Sequence, residues 1–342
     1  MNQQPAMTDD TGAAPAMTKS VLCLRPQADF ARVGVVPPAA LSIRYMTSAD
    51  PQLPDAIKSA DAIVMPAIGP KLAPAMFEGS KVKLVQVTGA GIDRLDLAAM
   101  QRLGIPVTNV PGGSNNAVAE YCVATALDLL RRMSWSSAEV KRGNYVAFRQ
   151  KLMDGNLPGL DGLTVGVVGL GTIGMVVAAA FTERGSRVVY FDPKPPKPDA
   201  AREAGWTSLS LDALLVESDV VTLHVPLLPA TTGLIGAAQL ASMKPTAILI
   251  NAARGGIVDE AALVASLMSG HLGGAAVDVY PIEPPPADNP LLQISGEASQ
   301  RLLLTPHIAG VTRQSAATLF RVSWANIERV LLNGEKPIHI CG

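Results

Sequence analysis

The chain has 342 residues, more than one hydrophobic core usually organises, so two domains are expected. Apolar residues make up 48 % and charged residues 17 %, which excludes a disordered chain. With 28 basic against 29 acidic side chains the net charge is −1, so neither nucleic acid nor an anionic membrane surface is an expected partner.

Residues 1–17 are rich in Ala, Thr, Pro and Gln, without a basic region followed by an apolar core. They read as a flexible tail, not a signal peptide. Strand patterns then alternate with helical ones. Val21–Leu24, Ile43–Met46, Ala62–Met65, Val82–Val87 and Val107–Val110 read as strands. Leu53–Ala60, Pro70–Phe77 and Leu95–Leu103 read as the helices between them. A long helix is expected over Asn116–Met133, with N-cap candidates Ser114, Asn115 and Asn116, followed by a polar stretch through Gly143 and Asp154. A second block has strands at Leu163–Val168, Arg187–Phe191, Val220–Val225, Ala247–Asn251, Ala275–Val279 and Leu302–Leu304. Its helices are Thr172–Arg184, Leu211–Glu217, Asp259–Ser269 and a closing helix Arg313–Leu332. This alternation predicts an α/β protein of two doubly wound parallel-sheet domains. Gly162–Thr182 carries no charge over 21 residues, but five glycines interrupt it, so it reads as strand, turn and buried helix and not as a membrane span. The three cysteines, Cys23, Cys122 and Cys341, form no C-x-x-C pair. That suits a reducing cytoplasm and offers no cysteine-rich metal site; no metal is expected.

The second block opens with Gly169-Leu-Gly171-Thr-Ile-Gly174 between an apolar strand and a helical pattern. In that context Gly169 permits a tight turn, Gly171 lets backbone approach a pyrophosphate, and Gly174 permits close helix–sheet packing. Asp192 ends the next strand, where a carboxylate accepts from ribose hydroxyls and repels a 2′-phosphate. The expected cofactor is NAD.

An enzyme that transfers hydride to a carbonyl needs a proton donor, a cation to hold the substrate and a partner to tune the donor. His307, Arg254 and Asp278 all lie at or just past predicted strand ends, with Glu283 in the following proline-rich loop. Together they point to one sheet edge, although each alone could be structural.

The chain resembles the D-isomer-specific 2-hydroxyacid dehydrogenase family, which includes phosphoglycerate and glyoxylate/hydroxypyruvate reductase-like members. The likeness rests on Val87-Thr-Gly-Ala-Gly-Ile-Asp93-Arg-Leu-Asp96, Asn109-Val-Pro-Gly with Ala117-Val-Ala-Glu120, the glycine turn, His224-Val-Pro226-Leu, Asn251-Ala-Ala-Arg254-Gly, Ala276-Val-Asp278-Val, Glu283-Pro and Thr305-Pro-His307-Ile-Ala-Gly310. It implies a substrate domain of residues 18–115 plus 312–342, flavodoxin-like, and a Rossmann NAD-binding domain of 116–311, with an active site in the cleft between them. It implies that His307 is the acid/base and that Glu283 pairs with it and favours the imidazolium. Arg254 would hold the substrate carboxylate, together with backbone around Ala90 and Gly91. Implied cofactor contacts are Gly169, Gly171, Thr172, Ile173, Gly174, Asp192, His224, Pro226, Thr231, Ala252, Arg254, Asp278, His307 and Gly310. The implied reaction interconverts a small D-2-hydroxy acid and its 2-oxo acid in a cytoplasmic homodimer. Two alternatives stay open: a short-form D-3-phosphoglycerate dehydrogenase, and a non-enzymatic NAD-binding regulatory protein. A phosphorylated substrate would need further basic groups, and Arg94 beside the substrate loop reads as a solvated side chain.

Overall fold

The computed structural model describes residues 18–195 and 197–341. The expected N-terminal tail lies outside the described residues. The chain divides into two compact units, one reaching Val110 and resuming at Ala317, the other comprising Pro111–Ala316.

The smaller unit holds β1 (Lys19–Cys23), β2 (Leu41–Tyr45), β3 (Ala62–Met65), β4 (Leu84–Val87) and β5 (Val107–Thr108). All pair in parallel, in the order β2-β1-β3-β4-β5. That is the flavodoxin-like order. β3 and β4 are buried at every position, as a sheet covered on both faces requires, while the edge strand β2 keeps exposed Ser42 and Arg44. Phe30 packs on Phe320 and Trp324 of the closing helix Arg313–Leu331, with ring centroids 4.7 and 5.4 Å apart. Asn326 fixes that helix by donating to buried Gln86 at 2.7 Å.

The predicted helix Pro70–Phe77 is a single 3₁₀ turn, Pro74–Phe77. Neither Pro70 nor Pro74 has an N–H to donate. The carbonyls of Pro66, Ile68 and Pro70 instead accept from the Arg94 guanidinium at 2.9, 3.3 and 2.8 Å. Arg94 is thus 3 % exposed, and its reading as a solvated side chain is wrong. A charge this buried is tolerable because four of its five N–H donors are directed at oxygens, Ser48 included.

The larger unit holds β6 (Thr164–Val168), β7 (Arg187–Phe191), β8 (Thr207–Ser208), β9 (Val220–Leu223), β10 (Ile248–Asn251), β11 (Gly274–Val277) and β12 (Leu302–Leu304). The order is β12-β11-β10-β9-β6-β7-β8, all parallel. The chain reverses its direction of travel between β6 and β9, the switch point where an open α/β sheet forms a crevice at its carboxyl edge. Helix Asn115–Arg131 packs Val118, Cys122, Ala126 and Leu129 into the same core as Val177, Ala178 and Phe181 of helix Thr172–Thr182. Phe181 is wholly buried, and deleting such a ring costs about 3–5 kcal/mol.

The segment that reads as a polar stretch forms two helices, Met133–Lys141 and Tyr145–Asp154, turned about Gly143 at φ 83°. They bury only Trp135 and Phe148, whose rings lie 5.1 Å apart. Among the described residues no helix is long and apolar enough to cross a membrane, and no group of three or more His, Cys, Asp or Glu could hold a metal.

Candidate active site

Because every strand of the larger sheet runs the same way, all its carboxyl ends open on one edge. The turn after β6 carries Gly169, Gly171, Thr172, Ile173 and Gly174. Gly169 sits at φ 92°, and a Cβ there would lie 2.7 Å from the His224 carbonyl oxygen at the end of β9. A Cβ on Gly174 would lie 2.0 Å from the Gly169 carbonyl oxygen. The fold itself therefore demands these two glycines. Gly171 differs: it takes φ −71° at the helix N-cap, and a Cβ would meet nothing within 4 Å. Open space lies there beside the free N–H groups of a helix eleven residues long. That is a cradle for a phosphate pair.

Asp192 follows β7. Its Oδ2 accepts from Leu170 N and its Oδ1 from Lys194 N, both at 2.8 Å. The carboxylate thus braces the glycine turn at the carboxyl end of the next strand. His224 follows β9, its Nε2 2.9 Å from Thr222 Oγ1. Burial pushes its imidazole down to about 3, so the ring is neutral at neutral pH. The Thr231 hydroxyl donates to the Pro226 carbonyl at 2.6 Å and accepts from Leu228 N at 2.8 Å, which closes that loop. The glycines, the acid and the neutral imidazole fit a dinucleotide.

Half-buried Ala252 and Arg254 follow β10. Asn251 shapes their loop: its Nδ2 donates to the Arg254 carbonyl at 3.1 Å and its Oδ1 accepts from Ala253 N at 3.2 Å. Arg254 Nη1 donates to the Ala253 carbonyl at 2.6 Å. Gly255 lies against the next loop, where a Cβ would sit 2.0 Å from the Tyr280 carbonyl carbon. This contact brings the Arg254 loop onto the segment that leads to Glu283.

His307 follows β12. Its Nδ1 lies 2.8 Å from Glu283 Oε2 and 3.0 Å from Oε1. Tyr280 N donates to Oε1 at 3.1 Å, so the carboxylate is held from two sides. An ionised carboxylate only accepts, so Nδ1 carries the proton and Nε2 is the nitrogen left for exchange. Both side chains stay about one quarter exposed, open to a substrate.

The resemblance makes Asp278 a cofactor contact. In the structure it is fully buried, and its oxygens accept from Thr305 Oγ1 at 2.5 Å and from Ile308 N and Ala309 N at 2.8 Å. Gly310 packs closely on Ser114, where an added Cβ would lie 3.2 Å from the Ser114 Cβ, and its carbonyl accepts from Ser315. Tyr121, which the sequence reading passed over, lies 2.7 Å from Thr305 Oγ1. Nothing local in the sequence marks that contact, since the two residues are 184 positions apart.

Ala90 and Gly91 lie in the smaller unit, in the loop after β4. Asn109 donates to the Ala90 carbonyl at 2.7 Å, and Val110 N donates to the Gly89 carbonyl at 2.9 Å. The loop therefore has a fixed shape with backbone available along it.

Residues 123–309, more than half the chain, match the family model for the D-isomer specific 2-hydroxyacid dehydrogenase NAD binding domain. The chain belongs to this family. It therefore carries the family's NAD-binding domain. It is 42 % identical over 243 residues to the (S)-sulfolactate dehydrogenase of Chromohalobacter salexigens, covering 71 % of this chain and 74 % of that one. It is 40 % identical over 234 residues to the D-3-phosphoglycerate dehydrogenase of Archaeoglobus fulgidus. That match covers 68 % of this chain but only 42 % of the relative, so the chain spans less than half of that protein's length. Among solved structures, the D-lactate dehydrogenase of Aquifex aeolicus, complexed with NAD and lactic acid, superposes with a TM-score of 0.79 at 28 % identity, covering 93 % of this chain and 96 % of that one.

Proposed function

We propose that the chain is an NAD-dependent oxidoreductase that interconverts a small D-2-hydroxy acid and its 2-oxo acid. The observation that carries this reading is the paired contact of His307 Nδ1 with both oxygens of Glu283, on the same sheet edge as the glycine turn. When bound, NAD supplies the hydride acceptor, and NADH the donor, at the nicotinamide ring. The chain's own residues supply the rest. The helix at Thr172 and the backbone at Gly171 hold the pyrophosphate, and Asp192 accepts from the adenosine ribose. The remaining cofactor contacts are Ile173, Gly174, His224, Pro226, Thr231, Ala252 and Gly310. Arg254 presents a planar guanidinium that matches a carboxylate and polarises the 2-oxo group. Backbone N–H groups at Ala90 and Gly91 take part in holding the carboxylate. His307 Nε2 gives its proton to the carbonyl oxygen in reduction and takes it back in oxidation, and Glu283 stabilises the imidazolium form.

The state of Arg94 bears on the substrate. Its guanidinium donates to three backbone carbonyls and to Ser48, which supports an unphosphorylated acid as the substrate. We further infer a homodimer, supported by exposed Val140, Tyr145, Val146 and Met153 on the helices Met133–Lys141 and Tyr145–Asp154. Residues 18–115 with 312–342 are the substrate domain, 116–311 the NAD domain, and the compartment is the cytoplasm.

The test is NADH oxidation by the purified protein with glyoxylate, hydroxypyruvate, phosphohydroxypyruvate, pyruvate and a branched 2-oxo acid, with NADPH in parallel. Turnover with NADH that falls about 10²–10⁴-fold in His307→Ala is expected for loss of a general acid. NADH binding with no turnover of any acid contradicts the proposal and favours the regulatory-protein reading.

A further inference from the structure

His307 holds a backbone conformation that its side chain disfavours. Its φ is 55°, in the left-handed region where a residue with a Cβ is strained. Something must hold it there, and the contacts around it show what. His307 N donates to the Asp278 carbonyl at 2.8 Å. The next two amides, Ile308 N and Ala309 N, reach the two carboxylate oxygens of Asp278. Asp278 is fully buried, so its charge is tolerable only while each oxygen keeps its donors.

The third donor to that carboxylate is the Thr305 hydroxyl. A hydroxyl has one proton, and here it goes to the carboxylate, which can only accept. The 2.7 Å contact between Tyr121 and Thr305 therefore has a direction: the phenol donates to Thr305, and Thr305 donates to Asp278. Burial raises the Tyr121 phenol above its ordinary range, so it keeps its proton at any working pH. Thr305 is gripped a second time through its carbonyl, which accepts from the Tyr280 hydroxyl at 3.1 Å. Helix Asn115–Arg131 thereby reaches the turn that bears the acid/base group, through a side chain that otherwise reads as helix packing.

We propose that Thr305, backed by Tyr121, is a positioning residue for His307: the chain Tyr121–Thr305–Asp278 fixes the left-handed turn and so the direction of the imidazole. This rests on the function proposed above, with His307 as acid/base. Neither residue touches the reacting atoms.

The test compares Thr305→Val, which keeps shape and removes the hydroxyl, with Thr305→Ser, which keeps the hydroxyl, and Tyr121→Phe, which removes only the outer donor. Three readouts are taken: amide hydrogen exchange over residues 305–310 in the free protein, NADH affinity, and kcat against KM with the acid that the wild type turns over. In Thr305→Val, exchange of the Ile308 and Ala309 amides should rise roughly tenfold or more, reporting local opening. Its kcat should fall roughly tenfold or more with KM and NADH affinity within about twofold, since the loss is one of orientation. Thr305→Ser should restore both, and Tyr121→Phe should fall between. Wild-type exchange and kcat in Thr305→Val would overturn the proposal. So would a loss of kcat matched by loosened exchange throughout the unit and not rescued by Ser. A selective rise in exchange from a wild type that reduces no 2-oxo acid would support the turn's design and sink only the function reading.

Discussion

Gly171 and Gly174 lie three residues apart in one turn, yet replacing each by alanine should have opposite consequences. At Gly174 the new Cβ would sit 2.0 Å from the Gly169 carbonyl oxygen, about 1.4 Å inside ordinary van der Waals contact. The oxygen is backbone, so helix Thr172–Thr182 must shift from the sheet. Overpacking of this kind costs about 1–3 kcal/mol, or about 2–12 °C in Tm for a unit of this size. At Gly171 the Cβ meets nothing, and φ −71° suits alanine. The free protein should be unchanged or stabilised by about 0.4–1 kcal/mol through the unfolded state. The methyl would occupy the space in which a pyrophosphate meets the backbone, so NADH affinity should fall by about 1.4 kcal/mol or more, a factor of ten. Thermal unfolding without cofactor and NADH titration by fluorescence give both numbers. If Gly171→Ala bound NADH as the wild type does, the phosphate cradle would be misplaced. A Gly174→Ala protein with the wild-type Tm would refute the packing argument.

Glu283→Gln keeps an acceptor for His307 Nδ1 but removes its charge. Replacing a charge-assisted hydrogen bond by a neutral one loses about 1–2 kcal/mol, so kcat/KM for 2-oxo acid reduction should drop about 5–30-fold with NADH affinity intact. An unchanged kcat/KM would speak against the pair. Arg94→Met strips the donors from three backbone carbonyls, and urea unfolding should show a loss of about 3 kcal/mol or more. A selective loss of phosphorylated acids, with stability intact, would make Arg94 a ligand instead. His224 titrates at about 3 in the fold against 6.5 without it. The unfolded chain therefore binds the extra proton, and stability falls as pH drops below about 6.5, by at most about 1.4 kcal/mol per pH unit. Above about pH 7 this linkage vanishes. His224→Gln should lose less stability between pH 7 and pH 5 than the wild type in urea titrations; equal losses would mean that His224 is not the residue responsible.

What the sequence revealed follows from which contacts are local. A largely apolar run marks a strand of a covered sheet, so β3, β7 and β12 were readable to the residue as Ala62–Met65, Arg187–Phe191 and Leu302–Leu304. The glycine turn was readable because Gly169 and Gly174 answer to close contacts within or beside it. The helices Met133–Lys141 and Tyr145–Asp154 were hidden because each buries a single aromatic ring, too little for a helical period. β8 was missed because Thr207 and Ser208 are both exposed and the strand has only two residues. At the site, the strand-end positions of Arg254, Asp278 and His307 came from pattern. The employment of Asp278 did not: its donors are two backbone amides and a hydroxyl, none of which has a sequence signature. Tyr121 was invisible for a stronger reason, since its partner is distant in the chain and its neighbours form an ordinary buried helix face.

The central claim is hydride transfer to C2 of a 2-oxo acid to give the D-2-hydroxy acid. The most direct measurement uses NADH deuterated at C4 of the nicotinamide, on both faces, with the best acid of the panel and chiral separation of the product. The account predicts one deuterium at C2 of the D enantiomer, and its loss in His307→Ala. Product without deuterium at C2, or with the L configuration, would contradict it.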